Sequence, residues 1–262
     1  MKSSKVPSRK YGQVFLKSME VARFEVESLY PEPGESVLEI GSGPGIITSE
    51  LINAFSSVTA LEPDHVLYAN LTDRFSPQIE AGNVKILKES FLDFPAANYD
   101  KIIGNIPYHI SSPIIFHLRE FSFKRCILMV QEEFANRLIA SPGESEYSRL
   151  SVNASLHFRI EKLRSVPRSL FSPAPKVDST IVALEKKTDF YDLDSSSFDK
   201  VLIKLFSNRR KMVRSIMDSY PADLAERRPD TLTTEEIIRI FNTYDGKFTS
   251  REIGEESDQK NI

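Results

Sequence analysis

The string Gly104-Asn-Ile-Pro-Tyr108 holds an amide, a rigid turn and an aromatic ring within five residues. An exocyclic amino group on a nucleobase is a poor nucleophile, because its lone pair is delocalised into the ring. The side-chain oxygen of Asn105 and a neighbouring main-chain carbonyl can each accept one of its N–H bonds. Two acceptors favour a pyramidal nitrogen whose lone pair is free. Pro107 donates no hydrogen bond and stiffens the turn. Tyr108 offers a face on which a base can stack. Chemistry of this kind works by positioning and charge placement and needs neither metal nor strong base.

A second constellation is Val37-Leu-Glu-Ile-Gly-Ser-Gly-Pro-Gly45. Glycines at 41, 43 and 45 let the backbone pass close to a ligand, and the helix that follows presents free N–H groups. The dinucleotide fingerprint G-x-G-x-x-G requires glycine at position 46, where this chain has Ile46. The loop therefore suits an adenosine carrying an amino-acid group rather than a pyrophosphate. Glu62 closes the next apolar run, twenty-one residues after Gly41. An acid there can accept hydrogen bonds from both ribose hydroxyls.

These residues sit at the ends of short apolar runs. The runs predict strands at Val37–Ile40, Val58–Leu61, Val84–Leu87, Lys101–Gly104 and Cys126–Val130. Helical patterns lie between them, near Ile46–Phe55, Asp64–Phe75 and Pro113–Glu120, and again at 133–140. The alternation predicts an α/β fold, a mostly parallel sheet with helices on both faces. Leu150–Ile160 and Val177–Leu184 are expected to extend the sheet, with the proline-rich loop Phe171–Asp178 between them. The composition turns polar after Lys187. This predicts one domain over 1–187 and a small helical domain over 188–262, with three helical stretches between Phe198 and Phe248.

The chain has 262 residues, 40% hydrophobic and 27% charged, which excludes global disorder and a fibrous repeat. Its net charge is -3, so any nucleic-acid surface has to come from local clustering. Residues 1–17 supply one cluster, with Lys2, Lys5, Arg9, Lys10, Lys17 and no acid. Lys204, Arg209, Arg210, Lys211 and Arg214 supply another, with Arg210 and Arg214 expected to share a helix face at i, i+4. Arg137 and Arg149 could add to the rim. One cysteine, Cys126, excludes a disulfide framework or a cysteine-built zinc site. His65, His109, His117 and His157 lack metal-ligand spacing, so no metal site is expected. No apolar run reaches the roughly 18–20 residues a membrane span needs, and Met1–Lys10 lacks the pattern of a secretory signal. A cytoplasmic setting without membrane partners is the expectation.

Four strings, in order, resemble the signatures of the rRNA adenine N6-dimethyltransferases: Lys10-Tyr-Gly-Gln-Val-Phe-Leu16, Leu38–Gly45, Asn105–Tyr108 and Phe171-Ser-Pro-Ala-Pro-Lys-Val-Asp-Ser179. The tail string Phe206-Ser-Asn-Arg-Arg-Lys211 resembles the KsgA/RsmA branch. The resemblance implies a Rossmann-like methyltransferase sheet that uses S-adenosylmethionine. It implies dimethylation of N6 on two adjacent adenosines in a hairpin loop near the 3′ end of 16S rRNA. The partner would be the small ribosomal subunit, the 30S particle or its precursor, met by a monomer through phosphate contacts from the basic clusters and the helical domain.

By motif position, Gln13, Val14, Leu16, Gly41, Gly43 and Glu62 would hold the cofactor. Asn105 would sit between cofactor and target base, with Tyr108 and Phe171 sandwiching the adenine. Two positions depart from the family pattern. Val14 stands where Asn or His is usual, and Ser90 stands where an Asp usually meets the cofactor's adenine amino group. Serine accepts that bond more weakly than a carboxylate. The alternatives are a large-subunit rRNA methyltransferase of the macrolide-resistance type, or a non-catalytic nucleic-acid-binding relative.

Overall fold

The computed structural model describes residues 14–187 and 193–244. Gln13, the basic positions Lys2, Lys5, Arg9 and Lys10, and linker residues 188–192 lie outside the described residues, as does everything after Tyr244. The described chain forms two compact units: residues 14–139 with 153–187, and residues 140–152 with 193–244. Residues 140–152 thus precede the expected 187/188 boundary and group with the second unit.

The elements run in chain order as β1 Phe15–Leu16, α1 Met19–Glu27, β2 Ser36–Ile40, α2 Ile46–Ala54, β3 Ser57–Leu61, α3 His65–Arg74 and α4 Ser76–Glu80. There follow β4 Val84–Leu87, β5 Lys101–Asn105, α5 Ser111–Leu118, β6 Arg125–Gln131 and α6 Glu132–Ile139. The chain continues with α7 Arg149–His157, β7 Phe158–Val166, β8 Phe171–Ser172, β9 Ser179–Lys186, α8 Ser195–Ser207 and α9 Thr234–Thr243. Local chemistry sets several of these boundaries. Ser18 caps α1 by accepting the Val21 N–H, and Asp64 caps α3 by accepting from Val66 and Leu67.

The seven-stranded sheet of the first unit has the order β4-β3-β2-β5-β6-β9-β7. β4 through β6 are parallel, while β9 runs antiparallel to both β6 and β7. Chain order reverses direction between β2 and β5, since β3 lies on one side of β2 and β5 on the other. In an open α/β sheet that switch point opens a crevice at the carboxyl ends of the strands. The crevice therefore falls beside Gly41 after β2 and Asn105 at the end of β5. At the opposite ends, the Ser36 N–H donates to Asp100 at 2.9 Å, and Lys124 bridges Glu35 and Asp100 at 2.8 and 3.1 Å. The core includes Val37, Leu51, Val58, Ala60, Ile103, Ile127 and Ile181, all buried.

Three expectations are overturned. Leu150–Ile160 is a helix through His157 that turns into a strand only at Phe158. Its alternating apolar residues suggested a strand, but Ser151 and Asn153 between them are buried as well. Asn153 accepts from Arg119 at 2.7 Å, and Ser151 accepts from the Ser148 N–H at 3.0 Å. With polar and apolar positions buried side by side, the segment carries no clear 3.6-residue period. In the second unit, α8 and α9 are joined by single 3-10 turns at Val213–Ser215, Ala222–Leu224 and Pro229–Thr231 rather than by a third helix. Because α8 ends at Ser207, Arg210 and Arg214 do not share an α-helical face.

Candidate active site

One cleft gathers the carboxyl ends of β2, β3 and β5. Val14, Leu16, Gly41, Gly43, Glu62, Asn105, Tyr108 and Phe171 all line it. They come from separate stretches of the chain, and the sheet topology is what joins them.

The β2 loop supplies backbone. The N–H groups of Gly41 and Ser42 both donate to the Leu61 carbonyl at 3.0 Å, tying the loop to β3. Gly41 has φ +71°, and a Cβ built there meets nothing within 4 Å. Its glycine is required by the backbone conformation, and the space beside it is open for close approach of a ligand. The next free amide, Gly43 N–H, donates to Glu62 Oε2 at 2.8 Å.

Glu62 is 2% exposed, and its Oε1 accepts from the Asp64 N–H at 2.8 Å. Each carboxylate oxygen therefore takes one backbone N–H and keeps acceptor capacity to spare, which is what a ribose diol needs. Burial raises the carboxyl above its ordinary value, and the two backbone N–H bonds oppose that shift. Glu39, at the end of β2, also lines the cleft and is fully buried. Its Oε2 accepts from Thr48 Oγ1 at 2.6 Å, and burial pushes its carboxyl up to about 7.

β5 carries Asn105 to the opposite side of the switch point. The following N–H, on Ile106, donates to the Met129 carbonyl at 3.3 Å and extends the β5–β6 pairing past the strand end. The side-chain amide Nδ2 of Asn105 donates to Glu25 Oε2 at 3.4 Å. Its Oδ1 is shielded from solvent and has no hydrogen-bond partner among the described residues. Tyr108 opens the next turn, and its hydroxyl shares a 3.0 Å hydrogen bond with Ser179 Oγ. Phe171 is 5% exposed and lies in β8, which pairs antiparallel with β1 so that Leu16 faces Phe171 in register. The N-terminal motif and the proline-rich loop are thus held together by backbone pairing.

Ser90 is not among the cleft-lining residues. It follows β4, and its hydroxyl accepts from the Leu92 N–H at 3.3 Å within its own turn. Glu25 went unmarked in the sequence, and Glu39 and Ser179 stood within quoted motifs without a role. Glu25 had a readable signal, because it interrupts the apolar stripe Val21, Ala22, Val26 of α1.

In the second unit, the basic cluster is partly engaged. Arg209 donates to the Tyr147 and Ser145 carbonyls at 3.3 and 3.1 Å, and Arg214 pairs with Glu226 at 3.1 Å. Arg210 and Lys211 are exposed.

Comparison with known proteins agrees with this geometry. The family model described as ribosomal RNA adenine dimethylase matches residues 6–237. A ribosomal RNA small subunit methyltransferase A of Thermotoga petrophila is 36% identical, over 89% of this chain and 90% of its own. The probable enzyme of that name from Methanopyrus kandleri is 34% identical, over 89% and 91%. Among solved structures, a dimethyladenosine transferase from Plasmodium falciparum superposes with a TM-score of 0.78 at 27% identity, covering 86% of this chain and 95% of that one. The 23S rRNA methyltransferase ErmE reaches a TM-score of 0.69 at 26% identity, covering 88% and 99%. With the family model spanning most of its length and the glycine loop, the β3 acid and the Asn105–Tyr108 turn around one cleft, the chain belongs to the ribosomal RNA adenine dimethylase family.

Proposed function

We propose that this protein uses S-adenosylmethionine to dimethylate N6 of two adjacent adenosines in a hairpin loop near the 3′ end of small-subunit rRNA. Acting as a cytoplasmic monomer, it would meet them in the 30S particle or its precursor. The observation that carries the reading is the shared cleft: the residues suited to a nucleoside and the residues suited to an exocyclic amine line the same walls.

The cofactor supplies an electrophilic methyl group on a sulfonium. The chain's own residues bind and orient. Glu62 has spare acceptor capacity for two ribose hydroxyls. Gly41 leaves the cleft open where the amino-acid part would lie, Gly43 ties the loop to Glu62 beside it, and Val14 and Leu16 supply apolar lining. Gln13 is carried over from the family motif alone. Ser90 lies outside the cleft lining, so we assign it at most an indirect role.

Asn105 Oδ1 is an unsatisfied acceptor at the cleft wall, and burying such a group without a partner is unfavourable by about 1–3 kcal/mol. A donor brought in by the substrate relieves that penalty. An adenine N6 amine is such a donor. Tyr108 and Phe171 offer aromatic faces, and stacking of a flipped base is worth about 1–3 kcal/mol. Hairpin loops suit this arrangement because their bases are already partly unstacked. The relatives' small-subunit names and the Arg209-Arg210-Lys211 string support the small-subunit target.

The test is incubation with labelled S-adenosylmethionine and, in parallel, 30S and 50S subunits lacking the methyl marks, followed by mapping of the product. Label in two adjacent dimethyladenosines is expected. Label confined to large-subunit RNA, or RNA binding without transfer, overturns the reading.

A further inference from the structure

Glu25 is an anomaly in its helix. α1 packs against α2, and its apolar stripe includes Val21, Ala22 and Val26, continued past the helix end by Leu29, each nearly inaccessible. Glu25 lies within that stripe at 0% exposure. No cation approaches it among the described ion pairs. Among the described residues its Oε1 has no hydrogen-bond partner, and its Oε2 accepts only the 3.4 Å bond from Asn105 Nδ2. Helix packing alone gains nothing from a carboxyl group here, since an apolar side chain of similar volume would remove both the desolvation and the orphaned oxygen. Positions that break a local folding rule this way are expected where function is served.

What the contact does for Asn105 follows from the chemistry of an amide. The group has a donor end and an acceptor end, and rotation about its last side-chain bond exchanges them. Glu25 occupies the donor end. The ionised carboxylate can only accept and so admits only the donor end, and the protonated form still has an oxygen able to accept; the geometry turns Nδ2 rather than Oδ1 toward it. With Nδ2 engaged, the end of Asn105 left without a partner is Oδ1, the end an incoming N–H requires.

We infer that Glu25 is a positioning residue that holds the Asn105 amide in one orientation, reserving Oδ1 as the acceptor for the substrate amine. The inference rests on the assignment of Asn105 made above. Glu25 does not line the cleft and acts only through Asn105. Because the amide would otherwise spend part of its time reversed, presenting N–H to N–H, the effect should fall on kcat rather than on cofactor affinity.

Three variants assayed on unmethylated 30S subunits test this. In Glu25→Leu, kcat is expected to fall at least tenfold, with the Kd for S-adenosylmethionine within twofold of the parent and an unchanged or higher melting temperature. Glu25→Gln keeps an acceptor for Nδ2 and should recover most of the lost kcat. A purely packing role predicts the reverse pattern, with Leu tolerated and Gln not. Should Glu25→Leu fail to fold, the pair Asn105→Asp and Glu25→Gln/Asn105→Asp decides. The Gln amide can donate to the new carboxylate, so the double variant should exceed Asn105→Asp at least tenfold, and no recovery overturns the proposal. Asn105→Ala separates the two claims: activity retained there defeats the Asn105 assignment itself. An inactive Asn105→Ala beside a fully active Glu25→Leu defeats only the role of Glu25.

Discussion

The Gly43 N–H donates to Glu62 Oε2 at 2.8 Å, which makes the glycine loop after β2 and the acid at the tip of β3 one hydrogen-bonded unit. The other carboxylate oxygen is held by the Asp64 N–H, itself at the N-cap of α3. Glu62→Gln replaces one of these acceptors with an NH2 group facing an N–H donor. The expected result is a rise of at least tenfold in the Kd for S-adenosylmethionine by calorimetry. Unliganded stability should also fall by about 1–3 kcal/mol. Unchanged affinity would separate Glu62 from the cofactor.

Tyr108 can act through its ring, its hydroxyl or both. The hydroxyl meets Ser179, which is fully buried. Tyr108→Phe keeps the aromatic face and should lower kcat/KM for the ribosomal substrate by only a few-fold. Tyr108→Ala removes the stack as well and should lower it by at least a further tenfold, matching about 1–3 kcal/mol of stacking. Equal losses in the two variants would assign the whole effect to the hydrogen bond.

Gly104 lies where β5 passes β2. A Cβ built there sits 2.9 Å from both the Ile40 carbonyl oxygen and the Ile40 Cβ. One of those contacts is backbone, so relief requires the strands to part. Gly104→Ala is therefore expected to destabilise the protein by about 1–3 kcal/mol, measured by urea unfolding. It should also reduce kcat, because Asn105 is the next residue along the displaced strand. Full stability and activity in this variant would contradict so close an approach of β5 to β2.

Glu25 and Glu39 give stability a pH dependence. Burial pushes their carboxyls up to about 8 and about 7 from an ordinary value of 4.5. Each binds its proton more tightly in the folded chain than in the unfolded one. Their contribution is full below pH 4.5 and is lost as pH rises through about 7 for Glu39 and about 8 for Glu25. The slope for each group is at most about 1.4 kcal/mol per pH unit. Urea midpoints should therefore decline between pH 5 and pH 8, by roughly these increments. The decline should be shallower in Glu25→Gln, and identical curves for the two proteins would show that Glu25 carries its charge when folded.

Much of the first unit was legible because its strands are short apolar runs cut by glycine, proline or acid. The runs predicted at Val37–Ile40, Val58–Leu61 and Val84–Leu87 end within one residue of the observed strands. Glu62 and Asn105 were readable because a polar residue closing such a run falls at the mouth of a parallel sheet. Leu150–Ile160 was misread because Ser151 and Asn153 are buried beside its apolar residues, which blurs the 3.6-residue period.

The sequence alone singled out the residues proposed to carry the chemistry: the glycines, the acid and the Asn105–Tyr108 turn stand in short motifs at the ends of apolar runs. Only the tertiary structure decided their partners. Leu16 faces Phe171, Tyr108 meets Ser179, and Asn105 meets Glu25, pairs separated by 155, 71 and 80 positions. No local pattern encodes such pairs, because they follow from the order in which the strands are laid into the sheet. That order depends on how the whole apolar surface of the unit is buried at once.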